Sequence, residues 1–251
     1  MLFQYIGWRG VFMIGVLPPL LVFYIRRSVP ESPSWRPAAA AGGTIAVLKS
    51  HWRLGIYAVL LMTAFNFFSH GTQDLYPTFL QGQHGMSADE VGLIAVIYNI
   101  GAIIGGVAFG SLSERFGRRR TIILAAVLSL FVLPLWAFST TLVWLAIGAF
   151  FMQVMVQGAW GVVPVHLNEL SPDDARGTFP GFTYQVGNLI ASVNATLQAA
   201  IAVHYGNDYG FALALVAGTV AVAIAILAAV GIEAKGIKFG EISQLPVGNR
   251  R

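Results

Sequence analysis

The chain has no cysteine and little charge, and each lack excludes something. Without a single Cys among 251 residues, disulfides and thiolate metal centres are ruled out. Only 10% of the residues are charged against 56% apolar, whereas a soluble domain carries about 25% charged residues because its surface faces water. The mean hydropathy is +0.70, and lipid is the solvent that suits such a composition. A net charge of +4 is too small and too scattered for a nucleic-acid surface. The sequence holds no nucleophile–base pair, phosphate-binding glycine loop or metal-ligand cluster. The expectation is therefore a non-enzyme without cofactor or metal.

What is present is a series of long apolar runs. A helix needs about 20 residues to cross a hydrocarbon core about 30 Å thick. Runs of that kind stand at about 8–25, 54–80, 91–112, 121–138, 141–165, 179–203 and 210–232. They predict an all-α membrane protein of about seven transmembrane helices, with the bilayer as its first partner. Most runs are apolar all round, so length rather than period defines them. Residues 28–53 are rich in Pro, Ala and Gly and read as a flexible linker between helix 1–27 and the six-helix stretch 54–233, which a tail at 234–251 follows.

Crossings alternate sides, so the connections fall into two groups. One group (the linker, 113–120, 166–178 and the tail) holds fourteen of the fifteen Lys and Arg residues, and the other holds only Arg9. This asymmetry predicts a cytoplasmic C-terminus and puts the N-terminus of this chain outside. The first run is not read as a secretory signal, because Arg26 and Arg27 follow the apolar stretch instead of preceding it. Gly101/Gly105 and Gly106/Gly110 are G-x-x-x-G pairs and predict close helix packing.

Ionisable groups within a span are costly and mark function. Only His70 and Asp74 lie well inside the expected spans, both in the second run. On a helix, Thr63, Asn66, Ser69, His70, Gln73, Asp74 and Pro77 share an arc of roughly 140°, while Phe68 and Leu75 point the other way. His70 and Asp74, at i and i+4, are close enough to touch, and an imidazole beside a carboxylate exchanges a proton near neutral pH. Pro77 leaves the carbonyl of Gln73 without its helical donor, a defect tolerated at membrane depth where a cavity borders it. A purely structural His–Asp bond is the competing reading. Asn99, Gln153, Gln157, Tyr184, Gln185 and Asn188 are further candidates for lining the same cavity, with interhelical hydrogen bonding the alternative for each. Asn194 and Gln198 extend that polar set, and Gln185, Asn188 and Ser192 follow helical spacing as a second stripe.

Three segments resemble signatures of the major facilitator superfamily. Gly110-Ser-Leu-Ser-Glu114-Arg115-Phe-Gly117-Arg118-Arg119-Arg120 resembles its cytoplasmic loop motif between the eighth and ninth helices. Pro30-Glu31-Ser32-Pro33 resembles the motif after the sixth helix, and Glu169 to Gly177 the segment after the tenth. Gly7-Trp8-Arg9 suits the entry to helix six. The stripe Asn66-x-x-Ser69-His70-x-Thr72-Gln73-Asp74-x-x-x-Thr78 matches the signature of the yeast lactate/pyruvate:proton symporters, a group similar to the bacterial sialate:proton symporter family.

The resemblance implies a twelve-helix transporter of which this chain supplies helices six to twelve, so the missing N-terminal helices are partners of a complete molecule. It implies that Asn66, Ser69, His70, Thr72, Gln73, Asp74 and Thr78 take part in substrate recognition or proton coupling. The expected activity is proton-coupled transport of a small carboxylate across the plasma (cell inner) membrane. Transport of another acid such as sialate, or a non-transporting membrane fragment, are the alternatives. The resemblance further suggests a truncated reading frame in which Met1 is an internal methionine.

Overall fold

In the computed structural model residues 7, 9–10, 12–28, 49–172 and 175–233 are described, and the regular elements among them are all α-helices. They fall into two units, one within Met1–Ala41 and one within Gly42–Arg251. The first contains α1 (Leu17–Ser28). The expected crossing over 8–25 lies partly outside the described residues, and a turn at Gly15–Val16 interrupts its described part. Pro18 and Pro19 are the cause: neither has an N–H to give to the preceding turn, yet both fit the first turn of a new helix. The Pro30–Pro33 motif, most of the expected linker and the tail from 234 lie outside the described residues.

The second unit contains six stretches long and apolar enough to cross a membrane. They are α2 (Trp52–Gln73) with α3 (Tyr76–Gly82), α4 (Ala88–Phe116), α5 (Arg118–Phe138), α6 (Leu142–Leu170), α7 (Phe179–Ala191) with α8 (Asn194–His204), and α9 (Tyr209–Val230). Two of the crossings expected as single helices are therefore broken. The break at Asp74–Leu75 follows from Pro77, which enters the first turn of α3. No Pro or Gly marks the break at Ser192–Val193. There Ser192 turns the chain by donating both its N–H (3.4 Å) and its hydroxyl (2.7 Å) to the carbonyl of Leu189, the local competition with helix that serine offers.

The expected polar loop at 113–120 shrinks to one residue. Helix α4 runs on to Phe116 and α5 begins at Arg118, with only Gly117 between them. Gly117 has φ +95°, and a Cβ there would stand 2.8 Å from the Glu233 carboxylate, so both backbone and space demand glycine. At its other end α4 starts with a capping box, Ser87 and Glu90 each answering the other's backbone N–H.

The most extensive interhelical contact joins α4 to α6, and glycines make it. A Cβ at Gly101 would lie 2.5 Å from the carbonyl oxygen of Phe150, and one at Gly158 would lie 2.6 Å from the Phe109 ring. Gly161 likewise faces the backbone of Gly106, and Gly105 that of Val154. Without a hydrophobic force between helices in lipid, such backbone proximity supplies the dispersion contact that holds them. Beyond the break in α2, Tyr76 anchors α3: its ring stacks on Trp136 at 5.2 Å, and its hydroxyl donates to the carbonyl of Leu145 at 3.2 Å.

Charge separates along the bundle. Arg119 donates to the carbonyls of Ala228 and Ala229 at the C-terminal end of α9, while Asp208 caps the N-terminal end of the same helix. At that second end Gln83 donates to Asp208 (3.1 Å) and accepts from the N–H of Gly210 (3.1 Å). The Cys-free chain is a ready background for labelling: cysteines at exposed Arg120 and at Asp208 are expected to react with an impermeant thiol reagent from opposite faces of a vesicle. Gly161→Ala is expected to destabilise the bundle by about 1–3 kcal/mol through overpacking. Gly92→Ala, where a Cβ meets nothing within 4 Å, should cost nothing. Thermal unfolding of both variants in detergent checks this pair.

Candidate functional site

The recess beside α2 is built from one turn of α2 and the facing stretch 185–192. His70 and Asp74 open, with Gln185, Asn188, Leu189, Ala191 and Ser192, into a depression of about 540 Å³. The two elements that shape it are the two broken crossings, α2/α3 and α7/α8. His70 Nδ1 stands 3.3 Å from both Oδ1 and Oδ2 of Asp74. That spacing is longer than a strong charge-assisted bond, and the side chains are 44% and 41% exposed, so water or a ligand can reach the pair. Within the lining His70 is the sole group able to carry a positive charge and Asp74 the sole acid.

The rest of the α2 stripe is held by amides. Ser69 Oγ accepts from Gln73 Nε2 at 3.0 Å and from Gln157 Nε2 at 3.2 Å. The Gly71 carbonyl accepts from Gln198 Nε2 at 2.8 Å. Thr72 donates to the Phe68 carbonyl at 2.9 Å and accepts from Gln153 Nε2 at 3.2 Å. Asn66, fully buried, reaches the backbone of Tyr184 at 3.4 Å. Neutral hydrogen bonds satisfy the polar atoms of this turn, as burial in lipid requires.

The structure thus sorts the expected site residues. His70, Asp74, Gln185 and Asn188 line the depression together, and Ser192 of the second stripe joins them. Asn66, Ser69, Thr72, Gln73, Gln153 and Gln157 stand behind or beside it as the supporting network. Tyr184 packs its ring edge-on against Trp160 at 6.0 Å and contributes its carbonyl. Thr78 is exposed on α3, past the break, and does not line the recess. Asn99 is exposed on α4, where its side chain donates back to the Ala95 carbonyl at 2.7 Å.

A second cluster closes the basic end of the bundle, on the motif from Gly110 to Arg120. Arg118 clasps Glu169 with two bonds of 2.9 and 3.1 Å and donates to Glu114 (2.8 Å) and Ser113 (2.6 Å). Glu233 accepts from the backbone N–H of Arg118 at 2.9 Å, which places a carboxylate at the positive N-terminus of α5. Arg115 and Arg120 are exposed. His166 is a buried ionisable residue that the run boundaries concealed: the expected span ends at 165, but α6 continues to Leu170 with His166 fully buried inside it.

Fold and recess together define a multi-pass membrane protein with an ionisable, polar-walled hollow in its helix bundle. Residues 59–241 match the profile of the Major Facilitator Superfamily, and the chain belongs to that family. It is 30% identical over 252 aligned positions to a carboxylic acid transporter protein homolog of Saccharomyces cerevisiae, covering 85% of this chain and 41% of that protein. It is 26% identical to the sialic acid transporter NanX of Escherichia coli, covering 92% of this chain and 57% of that protein. It is also 27% identical to a cis,cis-muconate transport protein of Acinetobacter baylyi, covering 74% and 48%. The chain spans about half the length of these curated relatives.

The ion cluster should dominate stability at its end of the bundle. Arg118 and Glu169 side chains are only 5% and 14% exposed, and removing one partner of such a pair leaves a buried charge uncompensated, at a cost of about 3–5 kcal/mol. Glu114 is 66% exposed, so its bond to Arg118 is screened and is worth at most about 1 kcal/mol. Arg118→Ala is therefore expected to lower the thermal midpoint far more than Glu114→Ala, measured side by side in detergent.

Proposed function

We propose that this chain carries the C-terminal half of a secondary transporter that moves a small carboxylate, of lactate or pyruvate type, together with a proton. Residues 28–53 would link the two halves on the cytoplasmic side and 54–233 would form the second half. The observation that carries the reading is the His70–Asp74 pair in the wall of the recess, 3.3 Å apart and half exposed, with amides and a hydroxyl around it.

The chemistry follows from charge. A carboxylate entering beside Asp74 meets a like charge unless a proton enters too, and His70 is the lining group placed to hold it. Substrate and proton together are neutral, which lowers the cost of a site that faces away from bulk water. Gln185, Asn188 and Ser192 offer neutral donors and acceptors that orient the substrate without adding net charge. The two broken crossings are suited to this task, because irregular backbone at membrane depth belongs where it borders a substrate path.

The clustering of Arg115, Arg118, Arg119 and Arg120 at the ends of α4 and α5, and of Arg176 in the connection between α6 and α7, supports a cytoplasmic basic end, and with it a cytoplasmic C-terminus in the plasma (cell inner) membrane. A second substrate class is favoured by the likeness to NanX over 92% of this chain: a larger acid such as sialate would use the same charge logic, and competition of each acid against labelled lactate separates the two.

In a completed transporter Asp74→Asn is expected to abolish or uncouple proton-driven uptake, and His70→Ala to shift its pH dependence. The measurement is uptake of labelled lactate between about pH 5 and 8, bracketing the ordinary histidine range, normalised to folded protein in the membrane. If the pair only braces the helix, both substitutions lower the amount of folded protein and leave the pH profile per molecule unchanged.

A further inference from the structure

The turn of α2 that carries the recess is flanked by two amide pairs, each spaced one helical turn apart: Gln153 and Gln157 on α6, and Asn194 and Gln198 on α8. The second pair is buried, Asn194 and Gln198 both at 0% exposure, and neither lines the recess. Both converge on Gly71. Gln198 Nε2 donates to its carbonyl at 2.8 Å, and the place a Cβ of residue 71 would occupy is 3.4 Å from Gln198 Nε2 and 3.5 Å from Asn194 Oδ1. Three polar atoms of this pair have no protein partner among the described residues: Asn194 Nδ2, Asn194 Oδ1 and Gln198 Oε1.

Two amides this deep in a lipid-embedded bundle do not leave three polar atoms unanswered without a large penalty. We propose that Asn194 and Gln198 form a seat for ordered water, buried between α8 and the Gly71 turn of α2. The complement is right for water: the unpartnered Asn194 Nδ2 donates, and two free carbonyl oxygens accept. A water molecule accepts one hydrogen bond and donates two, within the two to four polar partners that a buried water takes. A metal cation fits the same atoms badly, since it would engage only the oxygens, set the Asn194 N–H₂ against a positive charge, and find no carboxylate among these ligands. The seat begins one residue after the Ser192–Val193 break, so the water joins the start of the half-helix α8 to the turn that holds His70, one residue from Gly71.

The test uses the full chain in lipid nanodiscs. With Asn side chains isotopically labelled, magnetisation transfer from water protons to the Asn194 amide is expected, and Asn194→Leu removes the signal that identifies it. Asn194→Leu is also expected to lower the midpoint of thermal unfolding by about 3 °C or more, because it strips the water of partners and strands Gln198 Oε1. A dry site gives the opposite result: no transfer, and a variant as stable as the parent or more so, since an unsatisfied amide has been replaced by an apolar group of similar volume. A wild-type midpoint that rises with sodium or lithium over a choline control, and a variant insensitive to both, would assign the seat to a cation and overturn the proposal. Should Asn194→Leu fail to fold, the transfer experiment on the unsubstituted chain decides alone.

Discussion

Lipid offers no hydrogen bonds, so the polar atoms of the α2 turn are answered from within the bundle. The turn from Ser69 to Asp74 places hydroxyl, imidazole, carbonyl, amide and carboxylate groups in succession, and the surrounding helices are arranged to meet them. Gln157 reaches Ser69, Gln198 reaches the carbonyl of Gly71, and Gln153 reaches Thr72. These partners are all neutral. The choice leaves His70 and Asp74 as the only ionisable groups in the lining of the recess.

A turn held this way needs a rigid frame, and the frame comes from two kinds of contact. Glycines bring α4 and α6 to backbone distance, which positions the Gln153/Gln157 edge of α6 against α2. At the basic end, Arg118 ties α5 to α6 through Glu169 while Glu233 caps the start of α5. Arginines are thus gathered at one end of the bundle and neutral amides stand behind the recess, an allocation that follows the steep cost of burying an unpaired ion. The breaks in α2/α3 and α7/α8 bring irregular backbone only to the border of the hollow.

Much of this was legible in the residues because lipid makes the pattern simple. Apolar runs located all six membrane-length stretches of the second unit, the glycine spacing located the α4–α6 seam, and the i, i+4 spacing of His70 and Asp74 located the recess. Pro77 signalled one helix break, since a missing N–H is visible in sequence. The break at Ser192 was not legible, because it depends on a serine hydroxyl choosing the Leu189 carbonyl, and most serines in membrane helices make no turn. The motif between α4 and α5 looked like a loop on account of its charge, yet helical termini absorb it: arginines at a helix end reach water, carboxylates or the carbonyls of a neighbouring helix without leaving the helix. His166 escaped notice because an apolar run defines where hydrophobicity stops and not where the helix does. Asn99 bonds its own helix and stays exposed on α4, a placement that only the rotation of α4 decides.

The central claim is that the recess binds carboxylate and proton as one neutral unit. Its most direct test is the proton balance of binding in a transporter that contains this chain, purified in weakly buffered detergent solution near neutral pH, with a pH indicator reporting as lactate is added. Binding should take up about one proton per lactate, the linkage expected when a ligand's charge raises the proton affinity of a neighbouring imidazole–carboxylate pair, and His70→Ala should reduce that uptake. Lactate binding that saturates with no net proton change would contradict the account, because the anion would then be held beside Asp74 without the charge that makes room for it.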